Sequence, residues 1–475
     1  MKINNPLKRY TITMVMILLL INKAQASEKA NFIIIFTDDQ GYGDLSCYGS
    51  TTINTPHLDR MAKEGRKFTS FKVPSAICTP SRAALMTGSY PKRVSLYQHV
   101  LLPHSKTGLN PKEYTIANHL KSQGYKTACI GKWHLGHHPE TLPRQHGFDY
   151  YYGIPFSNDM NQVGYGARPP ASEFDALWKD PESTLTRWKT PLVENETVIE
   201  LPVDQRTITR RYTDKAIDFI KENKDEPFFV YLPHSMPHVP LYVPDDIYDA
   251  DLERAYPTVI EHIDAEVGRL MDTIRELDLD QNTYVIYTSD NGPASYHNEH
   301  GGSAGPLTGA KGSTYEGGHR VPCIMWAPGH ITPDTQCNQL LSTMDLLPTI
   351  AGLIGTELPK NNKIDGLDAS TLILDHTTTT PRKELLYYSR MGHLEGIRKG
   401  KWKLLLKIPG ELAKRKVINE KYQPEVLLFD LSQDIAETTN LASQNPEIVK
   451  ELSLLMKELD TEIEQNMRPA WIQHQ

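Results

Sequence analysis

Several things are scarce in this sequence, and each shortage excludes something. Only five cysteines occur in 475 residues, too few for a scaffold built on disulfides. Cys323 and Cys337 are near enough along the chain to pair, and the sequence leaves that pairing open. No apolar run after Ala26 is long enough to cross a bilayer, so no membrane span is expected. Basic residues are outnumbered: 51 Lys and Arg face 58 Asp and Glu, a formal charge of −7. Such a balance argues against a nucleic-acid partner. An anionic ligand would have to be met by local cations, because the overall field repels it. There are no internal repeats, and no G-x-G-x-x-G follows the first predicted strand, which excludes the dinucleotide-binding kind of α/β fold.

The beginning of the chain supplies an address. Lys2, Lys8 and Arg9 precede the apolar stretch Met14 to Ile21, and Ala24-Gln25-Ala26 follows. A charged start, a short apolar core and an A-x-A site read as a secretory signal peptide cleaved after about Ala26. A secreted or periplasmic protein is expected, and no cysteine follows Ala26 to carry a lipid anchor. The rest is too long for one compact core and suits about two units.

Beyond the leader, strand and helix patterns alternate. Asn31 to Phe36, Lys126 to Ile130, Phe228 to Leu232 and Thr283 to Thr288 are short β-rich apolar runs. Amphipathic stretches, Glu113 to Gln123, Thr209 to Asn223 and Tyr256 to Leu277, predict helices. This rhythm predicts a mostly parallel sheet with helices on both faces. The segment from about Asn161 to Leu201 has no clear period and is expected to be a surface insertion. After about Pro381 the pattern changes to short strands around Arg398-Lys399-Gly400-Lys401, closed by a helix from Pro446 to Glu464. The expected division is a signal peptide (1–26), a catalytic domain (27–375) and a smaller C-terminal α+β subdomain with an antiparallel sheet (376–475).

Polar clusters recur where the predicted strands end. Asp38 and Asp39 follow the first strand, Lys132 and His134 the second, His238 the third, and Asp290 and Asn291 the fourth. In open α/β sheets ligands bind at that edge. Asp38, Asp39, Asp290 and Asn291 offer only oxygen donors, which suits Ca²⁺ or Mg²⁺ and disfavours zinc. Arg82, Lys132, His134, His238 and Lys311 add positive charge and hydrogen-bond donors, so the set describes a pocket for a tetrahedral oxyanion.

The stretch from Cys78 to Gly88, CTPSRAALMTG, completes the set. Pro80 fits a first helical turn and Gly88 a helix end. Cys78 then stands at a helix N-terminus, where free N–H groups favour an anion. These residues resemble the sulfatase signature, C-x-P-S-R followed by L-x-T-G. The resemblance extends from Asp38-Asp39 through Gly131-Lys132-Trp133-His134-Leu135-Gly136 to Ser289-Asp290-Asn291-Gly292 and Leu428 to Leu431. The segment Gly153 to Met160 looks most like arylsulfatase A-type members.

The resemblance implies an alkaline-phosphatase-like fold and hydrolysis of sulfate esters. It implies that Cys78 is oxidised to formylglycine by a formylglycine-generating enzyme. Asp38, Asp39, Asp290 and Asn291 would hold a Ca²⁺, with Mg²⁺ the weaker alternative, and residue 78 would also bind it. Arg82 and Lys132 would steady the formylglycine and the sulfate, and Ser157 would orient a neighbour. His134 would take a proton, while His238 and Lys311 would serve the leaving oxygen. Two other readings stay open: a phosphate or phosphonate ester hydrolase on the same fold, and an inactive binder of sulfated glycans. Histidine- and aromatic-rich loops (Tyr97-Gln98-His99, His137-His138 and Tyr296 to His300) suit a sulfated carbohydrate or are simply turns.

Overall fold

The computed structural model describes residues 29–161, 171–184, 187–375, 377–407 and 424–473. The leader lies outside them. A ten-stranded sheet runs through the larger part of the chain. Its strands, in chain order, are β1 (Asn31–Thr37), β2 (Arg66–Phe68), β3 (Lys126–Ile130), β4 (Tyr150–Gly153) and β5 (Leu192–Glu194). There follow β6 (Thr197–Glu200), β7 (Phe228–Pro233), β8 (Thr283–Ser289), β9 (Cys323–Trp326) and β10 (Thr335–Cys337). The order across the sheet is β10-β2-β9-β8-β1-β7-β3-β4-β5-β6. The five central strands, β8-β1-β7-β3-β4, are mutually parallel. Antiparallel pairs enter only toward the edges.

Alternation along β1 explains why its whole run is apolar. Ile33 and Ile35 face one core with the helices α1 (Pro56–Glu64), Ile208–Glu222 and Ala255–Glu276. Phe32, Ile34 and Phe36 face the other, with α2 (Cys78–Thr87), α3 (Ile116–Ser122) and Leu346–Leu353. A strand covered on both faces needs apolar side chains in both phases of the pleat.

The chain then forms an antiparallel sheet in sequence order: β11 (Glu384–Tyr388), β12 (Leu394–Lys399), β13 (Trp402–Lys407) and β14 (Glu425–Asp430). The helix Pro446–Gln465 packs Leu452, Met456 and Ile463 on it, and that cluster includes Ala84 and Tyr90 of the part that carries the larger sheet. Buried ions join the two parts as well. Glu316 accepts from Lys72, Arg320 and, at 3.1 Å, Lys403 of β13.

Two expectations are corrected. The segment expected to be a surface insertion is, among its described residues, part of the fold: helices Ala171–Lys179 and Pro181–Thr184 form, and β5 and β6 extend the main sheet. Phe174, Leu177, Trp178 and Trp188 are buried in the main core. Three of these elements have only three or four residues, too few for a period to register, and tertiary burial holds them in place. All five cysteines are free, so Cys323 and Cys337 do not pair.

Candidate active site

All five central strands end at the same edge, and the predicted polar clusters meet there. Backbone hydrogen bonds stitch their exits together. Asp290 N–H donates to Thr37 O (3.0 Å), Lys132 N–H to Pro233 O (2.7 Å) and Trp133 N–H to Ile154 O (3.0 Å). Gly131 sits in the left-handed region, and a Cβ there would lie 1.9 Å from Pro233 O. Only glycine lets these strands separate so closely. Helix α2 begins at Cys78 and ends on Gly88 (φ 62°), whose N–H donates to Ala84 O. The loop carrying Lys311 is tied down by bonds from Lys311 N–H to Pro293 O and Gly312 N–H to Ala76 O, both 2.8 Å.

The acids form a tight buried group. The Cys78 thiol donates to Asp38 Oδ1 (3.4 Å), Asp39 N–H to Asp290 Oδ1 (3.1 Å), and Asn291 Nδ2 to Asp39 Oδ1 (2.8 Å). Asp39 holds a left-handed backbone (φ 65°), a strained state for a non-glycine residue. Arg82, fully buried, donates to Asp290 Oδ2 from Nε (3.1 Å) and Nη2 (2.8 Å), and to Lys132 O from Nη1 (3.0 Å). Ligating atoms of Asp38, Asp39, Cys78 and His238 lie within 4.8 Å of one another.

Electrostatics follow from this crowding. Burial pushes the Asp38 carboxyl up, but Lys132, His238, Arg82 and Lys311 outweigh it and hold the group well below the usual carboxylate range. Burial and the neighbouring charge of Asp38 push Asp290 up to about 7 despite Arg82. Asn291 Oδ1 is buried without a partner. Crowded buried carboxylates, an orphaned amide oxygen and an oxygen-rich donor set fit a hard divalent cation. Burial and Asp38 also push the Cys78 thiol well above its ordinary value. An unmodified Cys78 would therefore be a poor nucleophile, since the thiolate is the reactive form.

Around the acids stand the cations. Lys132 pairs with Asp38 and donates to Ser157 Oγ (3.0 Å). Lys311 pairs with Asp39 (2.7 Å), and burial's downward pull on its pKa is outweighed by Asp39. His238 Nδ1 lies 2.6 Å from Val239 O and Nε2 3.6 Å from Asp39 Oδ2. A carbonyl only accepts, so Nδ1 carries the hydrogen and Nε2 is the nitrogen turned toward the site. His134 shows the reverse arrangement: Nε2 meets Leu101 O (2.9 Å) and Nδ1 is unpartnered. Burial, reinforced by Lys132 and Arg82, holds His134 well below its usual pKa. It is thus a neutral imidazole whose Nδ1 lone pair is available.

Cys78, His134, Ser157, His238 and Lys311 line one cleft of about 130 Å³. A larger groove of about 820 Å³ runs beside the Ala255–Glu276 helix and contains none of these residues. Size is a poorer guide here than convergent chemistry.

A family model described as Sulfatase matches residues 30–356. The chain belongs to the sulfatase family. It is 38% identical over 458 residues to arylsulfatase A of Homo sapiens, covering 91% of this chain and 89% of that protein. The structure of the PsFucS1 sulfatase from Pseudoalteromonas sp. matches with a TM-score of 0.79 and 26% identity, covering 99% and 97%. Ps i-CgsB in complex with k-i-k-neocarrahexaose matches with a TM-score of 0.76 and 29% identity, covering 94% and 95%. The mostly parallel sheet with its C-terminal four-stranded sheet is the sulfatase, alkaline-phosphatase-like fold. As a sulfatase, the protein hydrolyses sulfate esters.

Asp38, Asp39, Cys78, Arg82, Lys132, His134, Ser157, His238, Asp290, Asn291 and Lys311 all meet at this one edge. Others escaped sequence reading. Thr79 Oγ1 donates to His134 O (2.9 Å) and accepts from Leu101 N–H (3.0 Å), so it braces both ends of the His134 contact. Asp159 and Arg390 line the cleft with no local signal beyond loop composition. Of the histidine- and aromatic-rich loops, His99 and Tyr296 line the cleft. His137 and His138 pack on each other at a tilt, and His297 packs edge-on against Phe174.

Proposed function

We propose that this sulfatase is an exported enzyme that removes sulfate from a sulfated carbohydrate, with Cys78 matured to formylglycine and Ca²⁺ (less well Mg²⁺) in its acid cluster. The observation that carries this reading is the placement of Cys78. It is the first residue of a helix, buried, touching Asp38, at the floor of a cleft ringed by cations. The leader of residues 1–26, the acidic overall charge and a structural neighbour solved with a neocarrahexaose support the rest. Maturation would need a formylglycine-generating enzyme as a partner.

Once formed, the formylglycine hydrate would supply two hydroxyls on one carbon, and a bound cation would favour the ionised form of one of them. Asp38, Asp39, Asp290, Asn291 and residue 78 would hold that cation. Arg82 and Lys132 set fixed positive charge beside residue 78 and the sulfate, so anionic charge that develops there meets preorganised donors. Ser157 orients the Lys132 ammonium. His134 accepts a proton at Nδ1, because Leu101 O fixes the hydrogen on Nε2 and burial keeps the ring neutral. His238, as the imidazolium carrying its second proton on Nε2 beside Asp39, and Lys311 would face the leaving oxygen and donate to it. Asp39 holds both in place.

The test is a sulfate-release screen over defined sulfated oligosaccharides, alongside 4-nitrophenyl sulfate and matched phosphonate esters. Release from at least one sugar sulfate supports the reading. Turnover of aryl sulfate with no sugar sulfate cleaved removes the carbohydrate assignment, and preference for phosphonates removes the sulfate one.

A further inference from the structure

We propose that Arg390 is a specificity-determining residue that receives a second anionic group of the substrate, a sulfate or a carboxylate on the sugar beside the scissile ester. The proposal rests on the carbohydrate reading above and adds a substrate class to it: polyanionic rather than singly charged sugars.

Arg390 belongs to the turn between β11 and β12, far in sequence from every motif of the site, yet it lines the same cleft as Cys78. Its stem crosses the loop beside Lys311, and a methyl group placed on Gly312 would lie 3.6 Å from Arg390 Cδ. Because Lys311 faces the leaving oxygen, Arg390 stands where the sugar, not the sulfate, leaves the cleft. The buried cations Arg82 and Lys132 lie at the floor, whereas Arg390 is exposed at the mouth. Among the described residues no carboxylate pairs with Arg390. Arginines elsewhere on this subdomain are engaged: Arg382 with Asp345 and Arg398 with Ser70 Oγ.

The turn is built to hold the Arg390 backbone in place. Ser389 N–H donates to His393 O and Gly392 N–H to Ser389 O, both 2.8 Å, and His393 N–H to Ser389 Oγ (3.1 Å). Gly392 (φ 79°) packs against Tyr97, where a Cβ would come within 2.4 Å of the ring. Tyr97 leads into His99, another residue of the cleft. A β-bridge between Ser75 and Tyr388 ties the approach to Arg390 to the approach to Cys78. In a protein with a formal charge of −7, a planar cation at the cleft mouth with no carboxylate partner among the described residues is a device for bidentate recognition of a carboxylate or sulfate.

The experiment uses the mature enzyme and reads competition against 4-nitrophenyl sulfate. Competitors are pairs of sulfated disaccharides, one set differing by a second sulfate and another by a uronate carboxylate. The wild type should bind the doubly charged member at least about fivefold more tightly in one set, which identifies the anion. Arg390→Ala should abolish that preference, Arg390→Lys retain part of it, and Arg390→Glu reverse it. Equal binding within every pair by the wild type, or a preference that survives in Arg390→Ala, overturns the assignment. Sugars that bind and are desulfated without any pair preference would leave the carbohydrate reading standing and remove this one alone.

Discussion

A sugar alkoxide is a poor leaving group, whereas nitrophenolate departs with little help, and this contrast isolates the proton donor. His238 is held by its Nδ1 contact to Val239 O, with Nε2 turned toward the site and 3.6 Å from Asp39. Lys311 shares the same carboxylate at 2.7 Å. Removing either His238 or Lys311 leaves Arg82, Lys132 and the acid cluster in place, so the nucleophile side should survive. General-acid assistance contributes about 10²–10⁴-fold, or about 2.7–5.5 kcal/mol of barrier. His238→Ala, Lys311→Ala or both should therefore lower kcat/KM for a sugar sulfate by a factor in that range. The loss on 4-nitrophenyl sulfate should be about tenfold or less, because little protonation is needed there. Steady-state kinetics on both esters decides the matter. Equal losses on the two esters in both variants would refute the reasoning and leave these residues as sulfate-binding charges.

Other expectations follow from the same geometry. Mass spectrometry of the peptide containing residue 78 should find aldehyde in active enzyme, and Cys78→Ala should be inactive; activity from wholly thiol protein would contradict the maturation. Elemental analysis of active enzyme should find one Ca²⁺ or Mg²⁺ per chain, and stoichiometric zinc would overturn the oxygen-donor assignment. Burial holds His146, stacked on Trp133, down to about 3. The unfolded chain takes up a proton below about 6.5 that the folded ring refuses, so this contribution is complete above 6.5 and lost as pH falls toward 3. The loss amounts to about 2 kcal/mol by pH 5. His146→Phe should accordingly lose less thermal stability than the wild type between pH 7 and pH 5, and a steeper loss would reverse the sign argument.

Much of this protein was legible in its sequence because the relevant signals are local. The apolar run of β1 needs two covered faces, and Gly88 ends a helix wherever that helix lies. A run such as Cys78-Thr79-Pro80-Ser81-Arg82 carries its chemistry within one turn. Adjacent acids at the end of a buried strand call for positive charge nearby, since uncompensated buried carboxylates are costly. What the sequence could not decide is relative placement across long separations. Nothing local places Trp178 and Trp188 in the main core, because their burial depends on α/β layers supplied elsewhere in the chain. Thr79 braces His134 only because Leu101 folds back beside both. The hydrogen on His134 Nε2 is dictated by that carbonyl, not by any neighbour in sequence. Arg390 reaches the cleft through a β-turn docked on Tyr97, a contact between segments almost 300 residues apart. Residue type determined the chemistry available to this chain, and tertiary packing determined which atoms face one another.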